Sequence, residues 1–210
     1  MSLSETSVVN MALAKIGAKR INNLDTDSSV GAIHCRTHYE QTRDSLLRSH
    51  YWRFASARAV LSQDTNDPDF EWGSQFILPA DFLRLKSVYA DNGSAKDNTK
   101  FSFTIEDDRL LTDDSAASIR YIKRVTDTSK FDPLFTEILV LMLALKLVGP
   151  LAGGDPKLQD VIQRELRLAM PAVRALDRQE TNTIGRWDRR TWNDARATNF
   201  GRIDSQLGSG

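Results

Sequence analysis

The stretch from Asp27 to Leu61, DSSVGAIHCRTHYEQTRDSLLRSHYWRFASARAVL, carries two hydrophobic periods in succession, and few folds accommodate both. Its first part repeats at helical spacing. Ala32, Cys35, Tyr39, Thr42, Leu46 and, after a slip of one, Trp52 fall near one stripe, while Arg36, Glu40, Arg43 and Arg48 fall mostly away from it. Asp27, Ser28 and Ser29 each offer a side-chain oxygen to the open N–H groups of a first turn. No Gly or Pro follows Gly31 within the stretch, so the spacing predicts a helix over 28–52. From Phe54 the period falls to two, with Phe54, Ser56, Arg58 and Val60 alternating against Ala55, Ala57, Ala59 and Leu61, as a strand requires. A long helix therefore hands the chain to a sheet, with Trp52 and Phe54 as wedges at the joint.

The flanking sequence completes the pattern. Ser4 opens a short amphipathic helix over 4–17 that carries Val8, Val9, Ala12, Leu13 and Ile16 on one face and ends at Gly17. Ile21 and Leu24 then staple the connection to the long helix. From 54 to 130 the signals are those of strands and polar turns: Phe76-Ile77-Leu78 before Pro79, the alternating Leu83 to Tyr89, Phe101-Phe103-Ile105, Leu110-Leu111, and Ile119-Tyr121-Lys123-Val125. Four or five antiparallel strands in one small sheet is the plain reading. Asp132-Pro133 and Asp155-Pro156 repeat a cap followed by a first-turn proline, which predicts helices over 133–149 and 156–180. Gly149-Pro150 and Gly153-Gly154 are expected to break the first of these, and Pro171 to kink or reset the second. The fold class is α+β: a helical bundle in two halves, 1–53 and 131–180, around a β insertion at 54–130.

Beyond Glu180 the apolar periodicity stops. Residues 181–210 are rich in Arg, Asn and Thr yet hold Trp187, Trp192 and Phe200. Such a segment cannot build its own core, and its aromatics suit an extended arm that lies on a partner. The partner-binding candidates are Trp187, Arg189, Arg190, Trp192, Arg196 and Phe200. Asp188, Asp194 and Asp204 among them favour a protein surface over phosphate.

Composition narrows the function classes. Lys plus Arg and Asp plus Glu both number 28, so the net charge is zero and nucleic-acid contact would have to come from a local patch. Cys35 is the only cysteine, which excludes an internal disulfide and suits folding in a cytoplasm. The apolar run from Ile138 to Val148 is shorter than the ~20 residues of a membrane span and contains Lys146, so it reads as a buried helix.

No reactive constellation stands out. His34 and His38 have the i, i+4 spacing of a zinc helix, but Cys35 occupies the position of the general-base Glu; polar helix-face histidines beside a buried cysteine are the simpler reading. Gly149 to Gly154 lacks the Lys and Ser/Thr of a phosphate loop. Glu106, Asp107, Asp108, Asp113 and Asp114 sit in turn-like sequence, where solvated carboxylates are usual. A polysaccharide or cell-wall hydrolase using Glu106, Asp108 or Asp114 is the alternative from another class. Arg43, Arg48, Arg53 and Arg58 recur every five residues, which spreads them around a helix, and Arg43 with Asp44 reads as a surface or subunit-interface ion pair. The expectation is a protein without a catalytic, cofactor or metal site.

The segments VVNMALAKIGAKRINNL (8–24), CRTHYEQTRDSLLRSHYWRFASARAVL (35–61), FILPADFLRL (76–85) and FDPLFTEILVLMLALKL (131–147) together resemble the tail tubular protein A family of short-tailed bacteriophages. The likeness spans roughly residues 8–180. Its most telling marks are Cys35, Tyr39, Arg43, Asp44, Leu47, Trp52, Phe54, Ala55 and Arg58, followed by Leu78-Pro79-Ala80-Asp81. The resemblance implies a structural virion protein assembled in the host cytoplasm: a head-to-tail adaptor forming a dodecameric ring between the portal and a tubular protein B-like nozzle. DNA would pass through the channel without specific binding, and no membrane would be involved.

Overall fold

A computed structural model of the chain describes residues 3–90 and 102–181. The fold is α+β. Helices α1 (Glu5–Lys15) and α2 (Val30–Ser49) are followed by strands β1 (Ser56–Val60), β2 (Ser62–Gln63), β3 (Ser74–Ile77), β4 (Phe82–Ala90), β5 (Phe103–Glu106), β6 (Arg109–Thr112) and β7 (Ala117–Lys123). A single 3-10 turn, Thr128–Lys130, then leads into helices α3 (Pro133–Leu151) and α4 (Pro156–Thr181).

The helices begin where their caps dictate. Ser4 Oγ accepts from Ser7 N at 3.1 Å, Ser29 Oγ from Ala32 N at 3.3 Å, Asp132 Oδ1 from Leu134 N at 2.8 Å and Asp155 Oδ1 from Lys157 N at 2.9 Å. Of the three candidates before α2, Ser29 is therefore the cap, while Asp27 accepts from Asn22 N and Ser29 N and shapes the turn. Those backbone bonds hold the Asp27 carboxyl below its usual range. The α1–α2 connection is pinned from both sides. Buried Asn10 exchanges two hydrogen bonds with the backbone of Ile21, at 2.9 and 3.0 Å, and Arg36 donates to Leu24 O and Asp27 O. Ile21 and Leu24 themselves are buried.

Two boundaries differ from the sequence reading. α2 stops at Ser49, and extended His50 rather than Trp52 marks its end. α3 runs through Gly149 and Pro150 to Leu151; the left-handed Gly153 and Gly154 (φ +63° and +70°) are what end it, with Gly154 N bonded back to Val148 O. α4 keeps the expected span to within a residue and is not reset at Pro171, through which it continues as one helix. A proline costs a helix one hydrogen bond, and near a C-terminus or on an exposed face that loss is tolerated.

The β insertion is two sheets rather than one. β1-β7-β4 form a three-stranded antiparallel sheet, and β2-β3-β6-β5 a four-stranded one. Strand β7 explains the division of labour. Ile119 and Tyr121 point into a core shared with Phe76, Leu78, Val88 and Leu110 between the two sheets. Ile122, one residue out of phase, points into the helical core with Leu83, Val125 and Trp52. The helical core is organised around α3, whose Phe135, Ile138, Leu139, Leu143 and Leu147 are fully buried against α1 and α2. Among the described residues α3 is the one helix long and apolar enough to cross a membrane.

The joint foreseen between helix and sheet is a knot of aromatic rings. Phe135 meets Trp52, Phe54 and Phe131 edge-on, with ring centroids 5.1, 5.0 and 4.9 Å away. Trp52 Nε1 donates to Leu46 O at 2.9 Å, so its polar edge is satisfied inside the core.

Candidate interaction surfaces

Several of the side chains weighed as reactive candidates are engaged in holding the fold. Cys35 is fully buried, and burial pushes its thiol up to about 11, far from the thiolate that a nucleophile needs. His34 and His38 lie half-buried along α2, and among the described residues no group of three or more His, Cys, Asp or Glu side chains is placed to hold a metal ion. Asp107 takes the left-handed position (φ +50°) of the β5–β6 turn. Asp108 pairs with Arg109, whose Nε donates to Asp64 Oδ2 at 2.7 Å. That bond and a backbone N–H hold the Asp64 carboxyl below its usual range. Asp113 accepts from Gly73 N, and Asp114 closes a turn with Thr112. The acidic groups at 106–108 and 113–114 lie at opposite ends of β6. From Asp108 to Asp113 an extended strand covers about 17 Å, so a carboxyl pair drawn from both groups exceeds the ~5–9.5 Å separation of a glycosidase.

The Arg43–Asp44 ion pair expected from the sequence is present, but its arginine is buried rather than on the surface. Its side chain is 4% exposed, enclosed between Asp44 at 2.9 Å and Glu5 at 3.8 Å, with its guanidinium 5.8 Å from the ring of Tyr39. The second oxygen of Asp44 receives Arg124 at 2.8 Å. The network therefore ties α1, α2 and the chain just after β7 together. Burial raises the Glu5 carboxyl, opposed by Arg43, and burial likewise pushes the Tyr39 hydroxyl upward. That hydroxyl has no hydrogen-bond partner among the described residues.

Two of the apolar surfaces exposed among the described residues lie on the helices. One is a groove of about 550 Å³ between α1 and α3, floored by Met11, Ala14, Pro133 and Val140 and edged by Lys15, Thr136 and Glu137. The other lies on α4. The apolar side chains of α4 do not all face the same way. Ile162 and Val173 face the core, whereas Val161, Leu168, Ala172 and Ala175 are exposed, Val161 by 50% and Leu168 by 72%. These four recur at i, i+7, i+11 and i+14, which places them in one row down the helix, away from the buried side. This row could have been found from spacing alone, because at 100° per residue Val161 and Leu168 lie about 100° and 120° from Ile162.

Trp187, Arg189, Arg190, Trp192, Arg196 and Phe200 lie outside the described residues. No protein-family model matches the chain, and no curated protein matches it.

Proposed function

We propose that this chain is a structural subunit of a short-tailed phage virion, a head-to-tail adaptor that joins portal to tail nozzle in a ring around the DNA channel, without turnover. The observation that carries the reading is the pair of non-equivalent apolar surfaces, the α1/α3 groove and the outer row of α4. A ring is closed by heterologous contacts, so each subunit must present two different faces to its neighbours. Exposed apolar rows of this kind mark protein contact surfaces. The resemblance of residues 8–180 to the tail tubular protein A family supports the same reading, as do the acidic clusters held apart by β6.

Residues 181–210 serve as a second point of attachment, with Trp187 and Trp192 as anchors on a neighbouring subunit or the portal and Arg189, Arg190, Arg196 and Phe200 beside them. The test is co-assembly with the portal of the same virion, scored by light scattering, for the intact chain and for a chain ending at Thr181. Loss of portal binding on truncation is expected. Unchanged binding would reject the role of the arm, and no binding by either chain would reject the adaptor.

A further inference from the structure

The three-stranded sheet carries an uncompensated positive surface. Its strands hold Arg58 on β1, Arg84 and Lys86 on β4, and Arg120 and Lys123 on β7, and not one carboxylate. In a chain of zero net charge this is a marked local excess. Arg58 and Arg120 sit directly opposite each other in the β1–β7 register, and Arg120 is opposite Ser87, next to Lys86, in the β4–β7 register. Arg120 lies 5.5 Å from the ring of Tyr89, while Arg84 and Lys86 lie 4.3 and 5.7 Å from the ring of Tyr51. Among the described residues no carboxylate pairs with Arg58, Arg84, Lys86 or Arg120. Elsewhere the fold does supply acids: Arg43 and Arg124 share Asp44, and Arg109 takes Asp64 and Asp108. Residues 91–101, outside the description, add Asp91 and Asp97 against Lys96 and Lys100, a balanced set.

Two like charges directly opposite in an antiparallel ladder repel. A cation on an edge strand such as β1 discourages edge-to-edge pairing. Arg120, however, sits on the central strand, where no edge needs guarding. Protein interfaces concentrate apolar anchors at their centre and deplete charge there. This face does the reverse, with Val60 its one strongly exposed large apolar side chain.

We infer that the Arg58–Arg120–Lys86–Arg84 face of the three-stranded sheet binds the phosphate backbone of duplex DNA, without reading sequence. Cations from strands ~4.8 Å apart form a dense array, a match for a polyanion with one charge per ~1.7 Å of axis. The tyrosine rings hold the cationic side chains in place over the sheet. The inference leans on the adaptor reading only for the source of the DNA; binding itself belongs to the isolated chain, so the two readings fail separately.

The experiment is fluorescence anisotropy of the full chain with a labelled random-sequence duplex, titrated from about 20 to 200 mM salt, where each phosphate contact contributes about 0.9 to the slope of log K against log salt. R58Q/R120Q is expected to weaken binding at least tenfold at low salt and to flatten the slope by about 1.8, the share of two contacts. K130Q, at an exposed cation outside the face, should leave both unchanged. Arg186, Arg189, Arg190, Arg196 and Arg202 are present in every variant, so the difference isolates the sheet. The thermal midpoint of R58Q/R120Q should match or exceed that of the unmodified chain, because the substitution relieves repulsion. If folding were nevertheless impaired, R84Q/K86Q supplies the same readout. Absence of DNA binding at low salt, an unchanged slope in both double variants, or displacement of the DNA by polyglutamate at equal charge concentration would overturn the inference; the last would assign the face to an acidic protein.

Discussion

Phe135 offers the most informative single perturbation, because its ring is the point at which the helical layer meets the strands. The side chain is fully buried and makes three edge-on contacts with Trp52, Phe54 and Phe131. Phe135→Leu keeps most of the apolar volume but removes the ring geometry. Three aromatic contacts of about 0.5–1.5 kcal/mol each, shared within one cluster and so less than additive, set the loss at about 2 kcal/mol. Phe135→Ala adds a cavity, and the usual cost of such a truncation is about 3–5 kcal/mol. Urea denaturation at equilibrium measures both, as a shift in midpoint at constant slope. In a thermal melt of a chain this size each kcal/mol corresponds to about 2–4 °C, so the Leu variant should lose about 4–8 °C and the Ala variant clearly more. A Leu variant within about 0.5 kcal/mol of the unmodified protein would refute the argument, since it would mean that burial alone matters at this site and ring geometry contributes nothing.

Other expectations follow from the same contacts. Arg43→Met should destabilise by about 1–3 kcal/mol, below the ~3–5 of a fully enclosed broken pair, because Asp44 keeps Arg124; a neutral result in chemical denaturation would show the network to be decorative. Cys35 should react with a thiol reagent at pH 8 only as fast as the protein opens, and rapid labelling of the folded chain would contradict its burial. The Tyr121 hydroxyl is pushed up to about 12 by burial and by its bond to Asp81. Its folded value lies above the unfolded value of about 10, so its contribution is complete below pH ~10 and is lost as pH rises through about 12. Tyr39 shifts the same way, and alkaline melts of Tyr121→Phe should show a shallower loss than those of the unmodified chain. Alanine at Glu106, Asp108 or Asp114 should leave assembly with the portal intact; if it abolished a hydrolytic activity instead, the adaptor reading would give way to the hydrolase.

The helices were legible in the sequence because their signals are local. Ser4, Ser29, Asp132-Pro133 and Asp155-Pro156 mark starts within a residue or two of those observed, since a cap acts on N–H groups two or three positions away. The joint at Trp52 and Phe54 was legible for the same reason: a change of period is visible within one stretch. What escaped was decided at a distance. The split into two sheets depends on β2, only two residues long, and on the pairing of β3 with β6 more than 30 positions away, neither of which leaves a local mark. Arg43 was assigned to solvent by residue type, yet it sits on the flank of α2 where Glu5 from α1 and Asp44 enclose it. The cationic sheet face was hidden because the net charge of the whole chain is zero, and only the β1–β7–β4 register brings its members together.

The most direct measurement is negative-stain electron microscopy of the purified chain mixed with the portal that the adaptor reading assigns to it. The adaptor reading expects a ring of additional density at one end of the portal, one copy for each portal subunit, and loss of that ring when Val161 and Leu168 are both changed to Asp. A bare portal in the presence of excess folded chain would contradict it.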